Sequence, residues 1–186
     1  MEYIIIFLPL IASIISGFFG KKIKSNEYII SSLILISAFL SIFIFYKVIF
    51  HDYSSNKIIF NWITSGNFVV NWSINIDSLT SVMLVVVSLI SSIVHFYSIG
   101  YMSHDPHKPR FMAYLSLFTF SMFFLITADN FLQLFFGWEG VGLCSYFLIG
   151  FWYKKNSANN AAIKAFIVNR VGDFGFALGI FLIFYL

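Results

Sequence analysis

Charge is what this 186-residue chain has least of: Asp, Glu, Lys and Arg make up 10% of it, against 60% hydrophobic and 21% aromatic residues. A soluble domain carries roughly 25% charged and about 45–50% apolar residues. A fold of this size has too little interior to hide so much Phe, Ile and Leu from water. The mean hydropathy of +0.89 therefore excludes a soluble globule. Cysteine is nearly absent: Cys144 stands alone, which excludes an internal disulfide and offers no metal-ligand spacing. Phosphate-binding signatures are missing too. There is no Walker loop, no dinucleotide glycine pattern and no Cys-x-x-Cys, so the chain has no familiar means of holding a nucleotide or an iron–sulfur cluster. A formal net charge of +3 is too small to point to nucleic acid.

What is present is a series of long apolar runs. About 20 apolar residues cross the roughly 30 Å hydrocarbon core as a helix. Six stretches qualify: Tyr3 to Phe19, Tyr28 to Tyr46, Ser78 to Tyr97, Phe111 to Thr127, Phe131 to Trp152 and Ala161 to Leu186. The first is no signal peptide, because Glu2 precedes it, Lys21, Lys22 and Lys24 follow it, and no small-residue cleavage site is present. The fold class expected is an all-α polytopic bundle of about six membrane helices. Loop charge orients it, since Lys and Arg stay on the cytoplasmic or matrix side. The connections after spans one, three and five hold Lys21, Lys22, Lys24, Lys108, Arg110, Lys154 and Lys155; the opposite side has Lys47 and Lys57. This vote sends the N-terminus outward, to periplasm or intermembrane space.

The loop between spans two and three is patterned. Ser65-Gly66-Asn67 is a turn signal, and after it Phe68, Val70, Trp72, Ile74 and Ile76 alternate with Asn71, Ser73, Asn75 and Asp77. The expected element is a short β-hairpin on the outer face. It either packs as a lid on its own helices or presents Trp62 and Trp72 to headgroups or a partner.

Ionisable groups at membrane depth carry the mechanistic reading, because each costs on the order of 2.5–3.5 kcal/mol at a helix centre. Four qualify: Glu139, Lys164, Arg170 and Asp173. With a rise of 1.5 Å per residue, Glu139 lies about 12 Å inside the outer boundary, and Asp173 about 18 Å from the inner one. The two carboxylates thus share a depth. Arg170 is one turn from Asp173 on the same face, and Lys164 is near enough to the inner edge to snorkel. Arg170 and Asp173 either neutralise one another or serve a function. Glu139 has no basic residue within a turn of its own helix, so it is neutral, paired with Arg170 or another cation, or in contact with water. A carboxyl held between burial and a movable cation takes up and releases a proton, which makes Glu139 the first candidate for a proton relay.

Around Glu139, the glycines Gly137, Gly140 and Gly142 permit close helix approach, and Gly172, Gly175 and Gly179 are expected to do the same in span six. Ser37, Ser41, Ser88, Ser91 and Ser92 read as interhelical hydrogen-bond partners, and His95 is ambiguous. Asp129-Asn130 reads as a tight outer turn that caps the next helix. His104 and His107 have His-x-x-His spacing, but two prolines and a basic flank make them a turn, and no metal is expected.

The stretch from His95 to Ile180, above all GWEGVGLCSYFLIGFWY, NRVGD and AAIKAF, resembles the antiporter-like membrane subunit of respiratory complex I, NADH:quinone oxidoreductase: subunit L of the bacterial complex, chain 5 of the mitochondrial one. The resemblance implies that Glu139 is the fifth-helix glutamate of the proton channel, that Arg170 and Asp173 are the basic and acidic residues of the sixth helix, and that Lys164 is the lysine of AAIKAF. The family protein is several times longer. The resemblance therefore implies an N-terminal fragment: residues 1–77 as two lead-in helices and the outer hairpin, 78–110 as helix three and its cytoplasmic or matrix turn, and 111–186 as the first three helices of a truncated proton-translocation repeat.

The function implied is proton translocation within a complex that couples NADH oxidation and quinone reduction to proton export. No redox chemistry belongs to this chain. FMN, the iron–sulfur clusters and quinone are expected in other subunits. Expected partners are the other membrane subunits of complex I, the lipid bilayer and protons, with no nucleic acid, in a bacterial plasma membrane or mitochondrial inner membrane. The alternatives are a subunit of a multisubunit cation/proton antiporter and a truncated, non-pumping assembly module.

Overall fold

The computed structural model describes residues 1–185 apart from Lys24 and Asn67. The sequence readings that involve Lys24, Asn67 and Leu186 lie outside the described residues. Six helices are each long and apolar enough to cross a membrane, and one two-stranded sheet joins them, in agreement with the expected fold class. The helices are α1 (Glu2–Ile14, continuing as a π-helical turn over Ile15–Phe19), α2 (Asn26–His51), α3 (Ser78–Tyr101), α4 (Lys108–Ile126), α5 (Phe131–Ile149) and α6 (Asn156–Tyr185). The strands β1 (Ser55–Ser65) and β2 (Phe68–Ile76) lie between α2 and α3.

The boundaries differ from the hydropathy reading in ways that have local causes. α2 continues through the amphipathic Lys47 and His51 and stops at Asp52, whose φ of 45° is left-handed; Asp tolerates that region better than most residues. α5 ends at Ile149, three residues before Trp152, because the chain turns at Gly150. α6 starts at Asn156 rather than Ala161, lengthened by a polar turn at its N-terminal end. Asp77, expected to continue the strand alternation, instead caps α3: its carboxylate accepts the Thr80 N–H at 2.7 Å. Asn130 caps α5 in the same way, accepting from the Gln133 N–H at 2.8 Å.

The hairpin is antiparallel, with Ser65 opposite Phe68 and the turn made at Gly66, whose φ of +57° suits a residue without Cβ. Register slips after Ile58 and Asn61 put two bulges in β1, which curl the ribbon over the bundle. It is a lid on its own helices: Ile74 and Ile76 join Ile5, Ile6, Ile44, Val48, Leu84 and Phe123 in one apolar cluster. Trp72 sits in an aromatic nest, 4.5 Å from Phe124, 5.2 Å from Phe136 and 5.3 Å from Phe60 between centroids. Gln133 at the start of α5 acts as a one-residue strand, its Oε1 accepting the Ser73 N–H at 3.0 Å and its Nε2 donating to the Ser73 carbonyl at 2.7 Å. Ser73, on the polar side of the alternation, is consequently fully buried.

The serines divide. Ser37 donates to the Ile5 carbonyl at 2.9 Å and Ser91 meets Thr119 at 2.6 Å, each across a helix pair. Ser41 and Ser88 bond back to the preceding turn of their own helices, the other way of satisfying a hydroxyl in lipid. His95 is completely buried between α3 and α4, its ring nitrogens 2.8 Å from the Ser91 carbonyl and 3.1 Å from Ser116 Oγ.

The loops gather at two ends. At one, the outer end of the sequence reading, Glu2 binds Tyr53, Ser55 and Lys57 of the hairpin base, and Asn130 donates to the Asn71 carbonyl at 2.8 Å. At the other, Lys108 pairs with Glu27 at 2.9 Å and Trp152 donates to Asp105 at 3.1 Å.

Candidate functional site

α5 reaches the rest of the bundle through α4, and the approach is very close. A Cβ on Gly137 would fall 2.7 Å from the Leu125 Cα, so the residue before Trp138 must lack a side chain for α5 to sit where it does. Gly140 is also confined, with Ser121 Oγ 3.1 Å from where its Cβ would stand. Two residues beyond Gly137, Glu139 points toward α6, and the Arg170 guanidinium donates to its Oε1. Of the alternatives for Glu139, the structure takes the paired one. Arg170 thus bonds across to α5 rather than neutralising Asp173 one turn away on its own helix.

Asp173 is buried and has a different partner: Trp138 Nε1 donates to its Oδ1 at 2.9 Å. Consecutive residues of α5, Trp138 and Glu139, therefore hold Asp173 and Arg170 of α6, and the two carboxylates and the guanidinium occupy one level. Beside them is a cavity of about 390 Å³ bounded by Leu134, Trp138, Asn169, Gly172, Asp173 and Phe176. Lys164 is not part of this group. It is exposed, nearer the basic end of α6, and no ion pair to it occurs among the described residues.

Trp138 was missed in the sequence. Its signal was positional: a buried carboxylate at depth needs a donor, and an indole N–H adjacent to Glu139 is one. The expectation that Gly172, Gly175 and Gly179 bring helices together is not met within this chain. A Cβ at any of the three would meet nothing within 4 Å, and Gly172 borders the open cavity toward α5.

The Glu139 side chain is 22% exposed and that of Arg170 53%, so the pair lies on the flank of the bundle. Charged groups within membrane spans face protein or a water-filled cavity almost without exception. No group of three or more His, Cys, Asp or Glu able to hold a metal occurs among the described residues; His104 and His107 are both exposed in their turn.

Six long apolar helices among the described residues, two of them bridged by a charged pair, define an integral membrane protein. The sequence comparisons specify the kind. Residues 62–112 match the model described as NADH-ubiquinone oxidoreductase (complex I), chain 5 N-terminus, and residues 128–186 match NADH:quinone oxidoreductase/Mrp antiporter, TM. The chain is 51% identical over 187 residues to NADH-ubiquinone oxidoreductase chain 5 of Chondrus crispus, covering 100% of this chain and 28% of that one. It is 53% identical over 184 residues to NADH-quinone oxidoreductase subunit L of Rickettsia bellii, covering 97% and 29%. Against chain 5 of Triticum aestivum it is 54% identical over 183 residues, covering 97% and 27%. The chain belongs to the chain 5/subunit L family of antiporter-like membrane subunits, and spans under a third of the length of these relatives. A solved structure of the membrane-bound sulfane sulfur reductase, an archaeal respiratory membrane complex, shares the fold, with a TM-score of 0.77 at 15% identity over 98% of this chain and 27% of that one.

Proposed function

We propose that the chain acts in proton translocation as part of a proton-pumping NADH:quinone oxidoreductase, with Glu139 as the group that binds and releases the proton. The observation that carries this reading is the bridge from Glu139 on α5 to Arg170 on α6. With the guanidinium in place the carboxylate is ionised and compensated. If Arg170 withdraws, an unpaired carboxylate in a low-dielectric site costs far more than a protonated one. Glu139 then takes a proton onto a carboxylate oxygen, and the return of Arg170 releases it. Asp173, held by Trp138, is the anion toward which Arg170 can swing one turn along its helix, and Lys164 is the cation toward the basic side. Nicotinamide, flavin, cluster and quinone chemistry belong, in this reading, to other subunits. The N-terminus faces the periplasm or intermembrane space, and the flank of α6 is covered by more of the translocation unit.

The test is Glu139→Gln in the assembled complex in proteoliposomes. Proton uptake per NADH oxidised is expected to fall while oxidation of NADH in uncoupled vesicles persists. Unchanged proton uptake overturns the assignment. A second reading, cation/proton exchange without redox coupling, draws on the antiporter in the matching description. Sodium-driven proton movement in vesicles without an NADH-oxidising partner would support it instead.

A further inference from the structure

At the basic end of the bundle Arg110 is unlike its neighbours. Lys108, two residues earlier, is neutralised by Glu27 at 2.9 Å. Arg110 has no carboxylate within ion-pair distance among the described residues. The nearby Asp105 is already occupied, accepting from the His107 N–H at 2.7 Å and the Trp152 indole at 3.1 Å. The guanidinium is nevertheless fixed. It lies 4.7 Å from the Phe151 ring and 5.3 Å from that of Tyr153, and Nη2 donates to the Phe151 carbonyl at 3.1 Å. Its Nε is buried without a partner. A guanidinium with one bond made and its other donors held in a set direction is the half of a fork that matches phosphate.

Open space adjoins it on both sides. One cavity of about 420 Å³ runs from Arg110 past Tyr114, Tyr146 and Phe147 to Ile163. A second of about 420 Å³ lies between Arg110, Lys21 and His107. The first is lined by Arg110 and three tyrosines together with phenylalanine and isoleucine, the two kinds of surface an amphiphile needs. Two cavities elsewhere are lined chiefly by apolar side chains, and a third borders Asp173.

We propose that Arg110 and the cavity between α4, α5 and α6 form a binding site for an anionic phospholipid, its phosphate on the Arg110 guanidinium and its upper acyl chain along Phe147 and Ile163. A free phosphate ion shares the headgroup chemistry but would leave the apolar wall uncovered. Basic pockets between membrane helices on the side where Lys and Arg collect are suited to acidic headgroups. The site stands apart from the Glu139 group and does not depend on the function proposed for it.

The test uses the assembled complex in nanodiscs containing a phosphatidylglycerol with a photoactivatable group near the top of one acyl chain. Crosslinks are expected to concentrate on α4, α5 and α6 around Tyr114, Phe147 and Ile163. In Arg110→Gln they fall about tenfold, equal to loss of one charge-assisted hydrogen bond, and in Arg110→Lys they fall less. Lys154→Gln, which leaves the cavity intact, changes them little. Unchanged labelling in Arg110→Gln overturns the proposal. Equal labelling by a photoactivatable phosphatidylcholine overturns it as well, and displacement of the label by millimolar inorganic phosphate assigns the site to the free ion instead. Should Arg110→Gln fail to assemble, the unaltered protein still decides: labels spread evenly along the bundle, or an Arg110 region crosslinked to an acidic protein segment, reject the lipid.

Discussion

α1 to α4 with the hairpin, and α5 with α6, meet their surroundings in opposite ways. In α4, 39% of the most apolar stretch is buried inside the chain; in α5 the share is 17% and in α6 6%. The first region closes on itself through shared apolar clusters and a carboxylate, Glu2, that anchors the hairpin base through Tyr53, Ser55 and Lys57. The second carries the Glu139, Arg170 and Asp173 group and leaves its outer face bare. Apolar burial gives no preference between lipid and protein, so helix pairs in a membrane rely on close packing and polar bonds. The first region has both; the second has α5 closely fitted to α4 on one side and charge on the other. The stable part is thus a base against which a charged, incompletely enclosed pair is held.

The sharpest way to break this division is at its seam. Gly137→Val puts side-chain carbon into the Leu125 backbone and pries α5 from α4; a loss of about 3 kcal/mol, at the upper end for overpacking, is expected as poor assembly and a lowered Tm. A Tm within a degree or two of the unaltered protein would place the seam elsewhere. Of comparable size is Gln133→Leu, which strands the buried Ser73 N–H and C=O at a cost of about 2–4 kcal/mol. It is measured as faster proteolysis within residues 55–76, and the hairpin is expected to loosen while α1 and α2 keep their hydrogen-exchange protection.

The second region is probed by Gly175→Ala. In an uncovered helix the change stabilises by about 0.5–1 kcal/mol through helix propensity. If protein covers that face in the complex, assembly is weakened instead, and weakened assembly is the outcome expected. The smallest effect belongs to Asp105→Asn. The His107 N–H, then the Trp152 indole, hold the Asp105 carboxyl below the usual carboxylate range. A group depressed in this way contributes above its unfolded value of about 3.9 and is lost as pH falls through its folded one. The tie is therefore intact from pH 5 upward, and the unfolding profiles of the two proteins should begin to converge only as pH falls below about 4.

The hairpin shows what was legible beforehand. Alternation from Phe68 to Ile76 and the glycine at position 66 were enough to place it, because period-two burial and a left-handed turn are local properties. That it would be bolted down by Gln133 was not legible, since 60 residues separate Gln133 from Ser73 and no periodicity links them. Glu139, Arg170 and Asp173 stood out because charge in an apolar run is costly wherever it sits. Their partners were legible only in part: Arg170 was one of several alternatives for Glu139, and Trp138 was not among those for Asp173. Helical spacing linked Arg170 to Asp173, whereas the fold turned Arg170 to Glu139 and gave Asp173 to Trp138. The glycines of α5 and α6 were indistinguishable in sequence, yet Gly137 is locked against a backbone and Gly175 touches nothing.

By itself the sequence determined the solvent, the number of long apolar helices among the described residues and the end at which the basic loops gather. Each follows from transfer free energy and from a fixed rise per residue, which act on neighbours along the chain. Tertiary structure alone decided which carboxylate received the guanidinium, which glycine was indispensable and which helix face remained open. Those depend on how α4, α5 and α6 pack in three dimensions, and no local energy encodes that.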